Sequence, residues 1–383
     1  MTHFGSVVLR PLPALSKQMA AEAAGHTGVS GAAMAYVPIF KGKLGEFTAL
    51  GHMAPEVQEM VRPVMEVVPD REVRDILETF RQNAWEHLPA GLDLAVDCGA
   101  LWRHGPVGGV WRGPPLSWLS ESFGAWLLTL LPVFRPDDPK CALAEVRDVQ
   151  RAHRGGAVMR LCLDWMPGDP VLADRLTAET LSGLSLAAEE IDLLLDAGHV
   201  SCDTAVAEAV PRMLYALRWA SRTSWRSVTV ASGAFPPTLR GLPRERLHPF
   251  RRWDAALWRK VAHAFRGQAP DFGDYGITHT AMSVAPGRRA APNLRYTVGE
   301  DWAVSISHNH HPGNDGFFAL CEDLLHSGLW PVHGESVSWG DEQLAVCARR
   351  LRRKAGRPAD WRAWATSHHL AVVTDSLRTL GVP

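Results

Sequence analysis

Eight short apolar runs, most of them separated by stretches of helical periodicity, constrain this chain more than any other feature. The runs are Ala35–Phe40, Val61–Val68, Leu92–Val96, Leu130–Phe134, Val158–Leu163, Ile191–Leu195, Ser227–Ala231 and Asp271–Gly276. Several are continuously apolar rather than alternating, the pattern of strands buried on both faces. Helical patterns occupy most of the gaps: Phe47–Met60, Arg71–Leu88, Leu116–Thr129, Ala142–His153, Ala205–Arg218 and Leu247–Phe265, with a shorter segment at Thr177–Glu190. Such alternation calls for parallel strands, since each helix carries the chain back to begin the next strand. Eight units between positions 35 and 276 predict a closed (βα)8 TIM-like barrel, an α/β fold. An open doubly wound sheet is the alternative, and the absence of a Gly-rich dinucleotide fingerprint after the first run counts against it.

The pattern changes after position 276. Leu294–Val298 and Trp302–Ile306, separated by Gly299-Glu300-Asp301, read as a β-hairpin, followed by helical segments at Phe317–His326, Asp341–Ala355 and Asp360–Leu380. Residues 1–30, rich in Ala, Gly and Ser, read as a loosely ordered arm, residues 31–280 as the barrel, and residues 281–383 as hairpin and helices packed on it.

Composition excludes several classes. A formal net charge of −1 gives no electrostatic basis for nonspecific nucleic-acid binding, although a local basic groove remains open. The 6 cysteines are scattered without CxxC spacing, so neither a zinc ribbon nor a disulfide framework is expected, and reduced thiols in the cytoplasm are. No run approaches the ~20 apolar residues of a membrane span, and no secretory signal pattern opens the chain. The 15 tryptophans include Trp85, Trp118, Trp126 and Trp258 on ordinary helix faces, where core packing is the default.

In a parallel barrel, functional groups gather where strands run into their following loops. Charged residues stand at those positions here. Lys41 and Lys43 end the first run, Glu66 lies within Val64-Met-Glu-Val-Val68, and Asp97 ends the third. Arg135 ends the fourth, Arg160 interrupts the fifth with Asp164 at its exit, Asp196 ends the sixth, and Asp274 and Tyr275 close the eighth. Only six of the 40 basic residues are lysines, yet two fall in Lys41-Gly42-Lys43, where an ammonium can neutralise an anion or activate a nucleophile. A charge inside an apolar strand costs several kcal/mol unless paired or ligated, so Glu66, Asp97, Arg160 and Asp196 point to one shared polar centre. Three arrangements would satisfy them. One is a structural lattice, Arg160 with Glu66 or Asp97. Another is a site for a phosphorylated or zwitterionic ligand. The last is a divalent-metal centre, magnesium or manganese held by Glu66, Asp97 and Asp196.

Other candidates are weaker. His308-Asn-His-His-Pro312 reads as an exposed loop before a metal site. His368 and His369 are adjacent, so on a helix their side chains diverge by about 100° and cannot readily share an ion. Asp341 reads as a helix N-cap, and Arg349–Lys354 as a solvated helix face.

The motifs also resemble a known family. Tyr36-Val-Pro-Ile-Phe-Lys-Gly-Lys-Leu-Gly-Glu-Phe47 is similar to the opening of the phage-type beta-protein family. The likeness continues in order through Val61-Arg-Pro-Val-Met-Glu66, Asp97, Arg160, Leu193-Leu-Leu-Asp196, Ala231-Ser-Gly-Ala-Phe-Pro236 and Gly273-Asp-Tyr-Gly276. It resumes in Asn293-Leu-Arg-Tyr296, Trp339-Gly-Asp341 and Trp361–Leu370. The resemblance implies a setting of phage–host conflict, with a nuclease-like partner as effector, and brings Arg295 and Tyr296 into the candidate set; it carries over no particular reaction. Where that family tends toward Gly-Ser-Phe-Pro, this chain has Ser232-Gly-Ala-Phe-Pro236, so no nucleophile is transferred to Ser232.

The resulting expectation is a barrel-mouth site acting on a phosphorylated small molecule or nucleic acid, with metal-dependent phosphoester hydrolysis as the reaction. Lys41, Glu66, Asp97 and Asp196 would be catalytic. Lys43, Arg135, Arg160, Asp274, Tyr275, Arg295 and Tyr296 would bind substrate. The competing expectation is a non-catalytic sensor that acts through a partner effector protein.

Overall fold

A computed structural model describes residues 34–89, 91–104, 113–126, 128–281, 291–308 and 314–383. Seven parallel strands follow one another around a barrel: β1 (Tyr36–Phe40), β2 (Val64–Glu66), β3 (Leu94–Asp97), β4 (Leu130–Phe134), β5 (Ala157–Cys162), β6 (Ile191–His199) and β7 (Ser227–Gly233). β8 (His248–Arg251) leaves the barrel, and β9 (Asp271–Asp274) closes it by pairing with both β7 and β1. The helices in the intervening segments are α1 (Leu44–Gly51), α2 (Pro55–Gln58), α3 (Val73–His87), α4 (Gly99–His104), α5 (Pro115–Ala125), α6 (Lys140–His153), α7 (Pro170–Leu184), α8 (Asp203–Ala220) and α9 (Trp253–Ala264). This is the closed parallel barrel that the alternation predicts.

The pleat of each strand sends successive residues to opposite faces, and the barrel turns that into two cores. Val37, Ile39, Val64, Ala95, Leu131, Val133, Val158, Leu194, Ala231 and Tyr275 form a cluster of their own inside the barrel. Their strand neighbours Tyr36, Phe40, Met65, Leu94, Leu130, Met159, Leu193 and Phe272 belong instead to the larger core beneath the helices.

The C-terminal part consists of β10 (Asn293–Val298), β11 (Asp301–Ile306), α10 (Gly316–His326), α11 (Trp339–Ala348) and α12 (Pro358–Leu380). Trp361 and Trp364 of α12 pack with Phe317, Leu344, Leu294 and Tyr296 in another apolar cluster. α12 also crosses α1 closely: a Cβ on Gly45 would lie 2.5 Å from the Ala359 carbonyl oxygen.

Several boundaries differ from the sequence expectation. Leu247–Phe265 is not one helix; β8 occupies its start and pairs antiparallel with β11, Phe250 opposite Trp302. Pro249 explains this, since its missing N–H disfavours a helix interior but suits an edge strand. Phe47–Met60 is likewise two helices, the second beginning at Pro55, a residue preorganised for the first helical position. The cap of α11 is Ser338, which accepts from the Asp341 N–H, and Asp341 lies inside the helix. The arm expected at residues 1–30 and the His308–Pro312 loop beyond its first residue fall outside the described residues.

Candidate functional site

The mouth begins with the turn after β1. Gly42 has φ of +62°, a left-handed conformation that strains any residue with a Cβ, and a Cβ there would lie 2.8 Å from the Glu66 carbonyl oxygen. That turn separates the two lysines. Lys41 follows the inward parity of Val37 and Ile39, whereas Lys43 precedes α1 and its backbone N–H donates to Glu46 at 3.0 Å. Lys43 pairs with Asp70 at 2.6 Å, so the lysine pair does not act as a unit.

Inward parity delivers one charged group from each of several strands to the same level. Lys41 donates to the Glu66 carboxylate and to the Thr280 carbonyl. Arg160, from the middle of β5, is the hub. Its Nη1 donates to Glu66 at 2.7 Å and to Asp97 at 2.8 Å, while Nη2 and Nε reach one oxygen of Asp196 at 2.7 and 3.0 Å. Nη2 also donates to the Tyr275 hydroxyl, which in turn donates to Asp196 at 2.7 Å. Arg135 holds Asp97 in a two-pronged pair at 2.6 and 3.0 Å. Backbone N–H groups of Gly99 and Gly198 complete Asp97 and Asp196.

Three cations and three carboxylates therefore form a neutral, alternating lattice with a tyrosine built in. Burial alone would raise both aspartates, but Arg135 and Arg160 outweigh it and hold the Asp97 carboxyl far below the usual carboxylate range. Asp196 is lowered in the same way, against its burial, by Arg160, Tyr275 and the Gly198 N–H. Burial pushes the Tyr275 hydroxyl well up, so it stays protonated. Asp97, Arg160 and Asp196 are sealed at 2–4% exposure, whereas Glu66 reaches the surface at 16%.

Not every candidate joins this lattice. Asp274 precedes Tyr275 and so faces the other way, out of the barrel and under α12. There it accepts from the Tyr36 hydroxyl at 2.7 Å, contacts His369 Nε2 at 3.0 Å, and faces Arg252 at 3.4 Å. Although burial opposes it, these partners, His369 foremost, lower its pKa to about 2. Tyr296 is also remote from the mouth: its hydroxyl donates to Asp341 at 2.7 Å, and its ring stacks on His368 at 3.7 Å. His368 spans Asp341 and the Thr297 carbonyl at 2.9 and 2.8 Å, while His369 Nδ1 lies 2.7 Å from Thr297 Oγ1. His369 and Asp274 thus fasten the C-terminal part to the barrel wall, while His368, Tyr296 and Asp341 tie β10, α11 and α12 to one another. Asp164 lies exposed at the surface, paired with Arg212.

Arg295 is a different case. It donates to the Ile277 carbonyl at 2.7 Å and lies over the Phe235 ring at 4.6 Å, beside the loops that leave β9 and β7. Its Nε donates to Asn293 Oδ1 at 3.1 Å, and among the described residues no carboxylate lies in direct contact with it, Glu46 acting on it only at longer range. Sequence reading passed over His199, at the end of β6, and His279, beyond β9, whose ring centres lie 4.4 Å apart with the planes tilted by 51°. Burial and then His279 lower the His199 pKa. Their positions near strand ends are the signal that could have found them.

A divalent ion needs several carboxylate oxygens converging on one point. At this mouth the convergence point of Glu66, Asp97 and Asp196 is the Arg160 guanidinium. Among the described residues no cluster of three or more His, Cys, Asp or Glu side chains is placed to hold a metal. The arrangement is a guanidinium-centred lattice, and a magnesium or manganese ion held by Glu66, Asp97 and Asp196 would have to take the place of the Arg160 guanidinium. Also among the described residues, no helix is long and apolar enough to cross a membrane.

No curated protein matches the chain significantly. The family model described as Beta protein matches residues 36–375, from the first barrel strand to near the end of α12. The span takes in both the mouth lattice and the fastening beneath α12, and the chain belongs to the Beta protein family.

Proposed function

We propose that the barrel mouth binds a small phosphorylated ligand whose anionic group takes the place Glu66 holds between Lys41 and Arg160. One observation carries this reading. Two buried cations converge on Glu66, the lattice carboxylate that reaches the surface. A phosphate arriving there would replace one anion by another, so neither cation would lose its counter-charge. Arg295 adds a guanidinium beside the loops at the mouth, with no carboxylate in direct contact among the described residues. If the ligand is turned over, the released Glu66 is the group free to act as general base, with Lys41 and Arg160 stabilising charge that develops on the phosphoryl oxygens. The setting we propose is phage–host conflict, supported by the resemblance of the motifs to phage-type proteins.

Calorimetric titration with inorganic phosphate, AMP, GTP and ribose 5-phosphate tests the binding step, and phosphate release with and without EDTA tests turnover. Lys41→Ala should abolish binding. Lys41→Arg should retain part of the affinity and lose turnover, because charge survives but reach and shape do not. Affinity unchanged in Lys41→Ala would refute the mouth as the site.

The complete charge balance of the lattice favours one other reading, in which it fills the mouth as structure and the chain acts through a partner effector protein. That reading requires full phage restriction by Lys41→Ala together with the absence of turnover in every form.

A further inference from the structure

The barrel has a second end. In a (βα)8 fold the interior is normally filled by layers of bulky side chains. Here the inward-facing Val37, Ala95, Leu131 and Val158 keep 4–9% exposure, whereas their outward neighbours Tyr36, Leu94, Leu130 and Ala157 have 0%. Ile39, Val64, Leu194 and Ala231, also facing inward, are sealed at 0–1%, so solvent reaches the inside of the barrel wall only at part of its lowest layer. That part forms the inner end of a cavity of about 830 Å³ at the amino-terminal end of the strands, opposite the charged mouth, whose outer part is lined by the end of α8 and the loops that enter β7 and β9. It falls within the ~300–1,000 Å³ typical of small-molecule sites. Short side chains such as Ala95 and Val37 leave the lowest layer of the barrel unfilled.

Its rim is polar and unevenly charged. Asp93, Asp192 and Asp271 line it against Arg62 and Arg226. Arg226 is committed to Asp192, with Nε 2.8 Å from one carboxylate oxygen. Arg62 turns to the Glu59 carbonyl at 2.9 Å. Asp271 accepts from the Ala35 N–H at 2.8 Å. Burial, despite that bond, raises its pKa to about 6, so a nearby cation would favour its ionised form.

We propose that this cavity is a ligand site for a small amphiphile, its apolar body inside the barrel and a cationic group at the Asp271 side of the rim. The site is independent of the mouth.

The test uses dansylcadaverine, an apolar fluorophore carrying a terminal ammonium, beside a dansyl probe of similar length ending in a carboxylate. The amine probe should give a saturable, blue-shifted signal at one site per chain, and the carboxylate probe should bind more weakly. Ala95→Phe, which fills the hollow, should abolish the signal. Asp271→Asn, which keeps the acceptor for Ala35, should weaken it roughly tenfold, as expected for loss of one charged hydrogen bond. Lys41→Ala should leave it unchanged. The proposal is overturned if both probes bind alike, if a natively folded Ala95→Phe variant still binds, or if Lys41→Ala removes the signal. Should Ala95→Phe fail to fold, unchanged affinity in Asp271→Asn overturns it instead.

Discussion

Replacing Arg160 by methionine removes the cation that three carboxylates share, and the structure sets the scale of the loss. Each pair has nitrogen–oxygen distances of 2.7–2.8 Å. At charge-centre separations near 4 Å and an effective dielectric of about 20, each is attracted by ~4 kcal/mol before desolvation is charged against it. Burying the guanidinium costs several kcal/mol, and breaking a buried pair from one side typically loses about 3–5 kcal/mol. The consequences are uneven. Asp97 keeps Arg135 and Glu66 keeps Lys41, but Asp196 is left with the Tyr275 hydroxyl and the Gly198 N–H. Most of the loss should therefore sit on Asp196. Adding Asp196→Asn to Arg160→Met should recover about 2 kcal/mol, although Asp196→Asn alone destabilises. Urea unfolding followed by tryptophan fluorescence measures both. A cost below about 1 kcal/mol for Arg160→Met, or losses that simply add in the double variant, would refute the hub.

Acid should destabilise the protein below about pH 4. The folded pKa values of Asp97, Asp196 and Asp274 are depressed, so their stabilisation is present above the unfolded pKa and is lost as pH falls; a flat thermal-melting profile across that range would contradict it. Glu145 has the opposite sign. Burial raises it to about 7 although two backbone N–H groups oppose this, so its contribution is lost as pH rises from about 4.5 to about 7. Glu145→Gln should raise the melting temperature at pH 8 and leave it nearly unchanged at pH 4. His369→Ala leaves Asp274 and Thr297 short of a buried partner and should cost about 1–3 kcal/mol, with faster hydrogen exchange in α12 and β10; unchanged exchange there would remove its fastening role. EDTA, magnesium and manganese should each leave the melting temperature unchanged, whereas a rise of several degrees with either ion would support a metal centre at the mouth.

The barrel itself was legible in the sequence because two local signals, apolar runs and helical periodicity, repeat often enough to determine the class of fold. Much of the mouth was legible for a related reason. A charge embedded in an apolar strand is costly, so Glu66, Asp97, Arg160 and Asp196 had to find one another or a ligand. Strand parity, applied strictly, would also have separated Asp274 from Tyr275, since adjacent residues on a strand cannot face the same side. Tertiary structure decided the rest. Arg160 spends all three carboxylates because β2, β3, β5 and β6 come into register around it, and no local pattern records that register. Asp274 meets His369 only when α12 folds back over β9. β8 leaves its apparent helix because β11, some fifty residues later, offers it hydrogen bonds. The hollow beneath the lattice is the sum of short side chains on several strands, and a sum of volumes has no signature until the barrel closes.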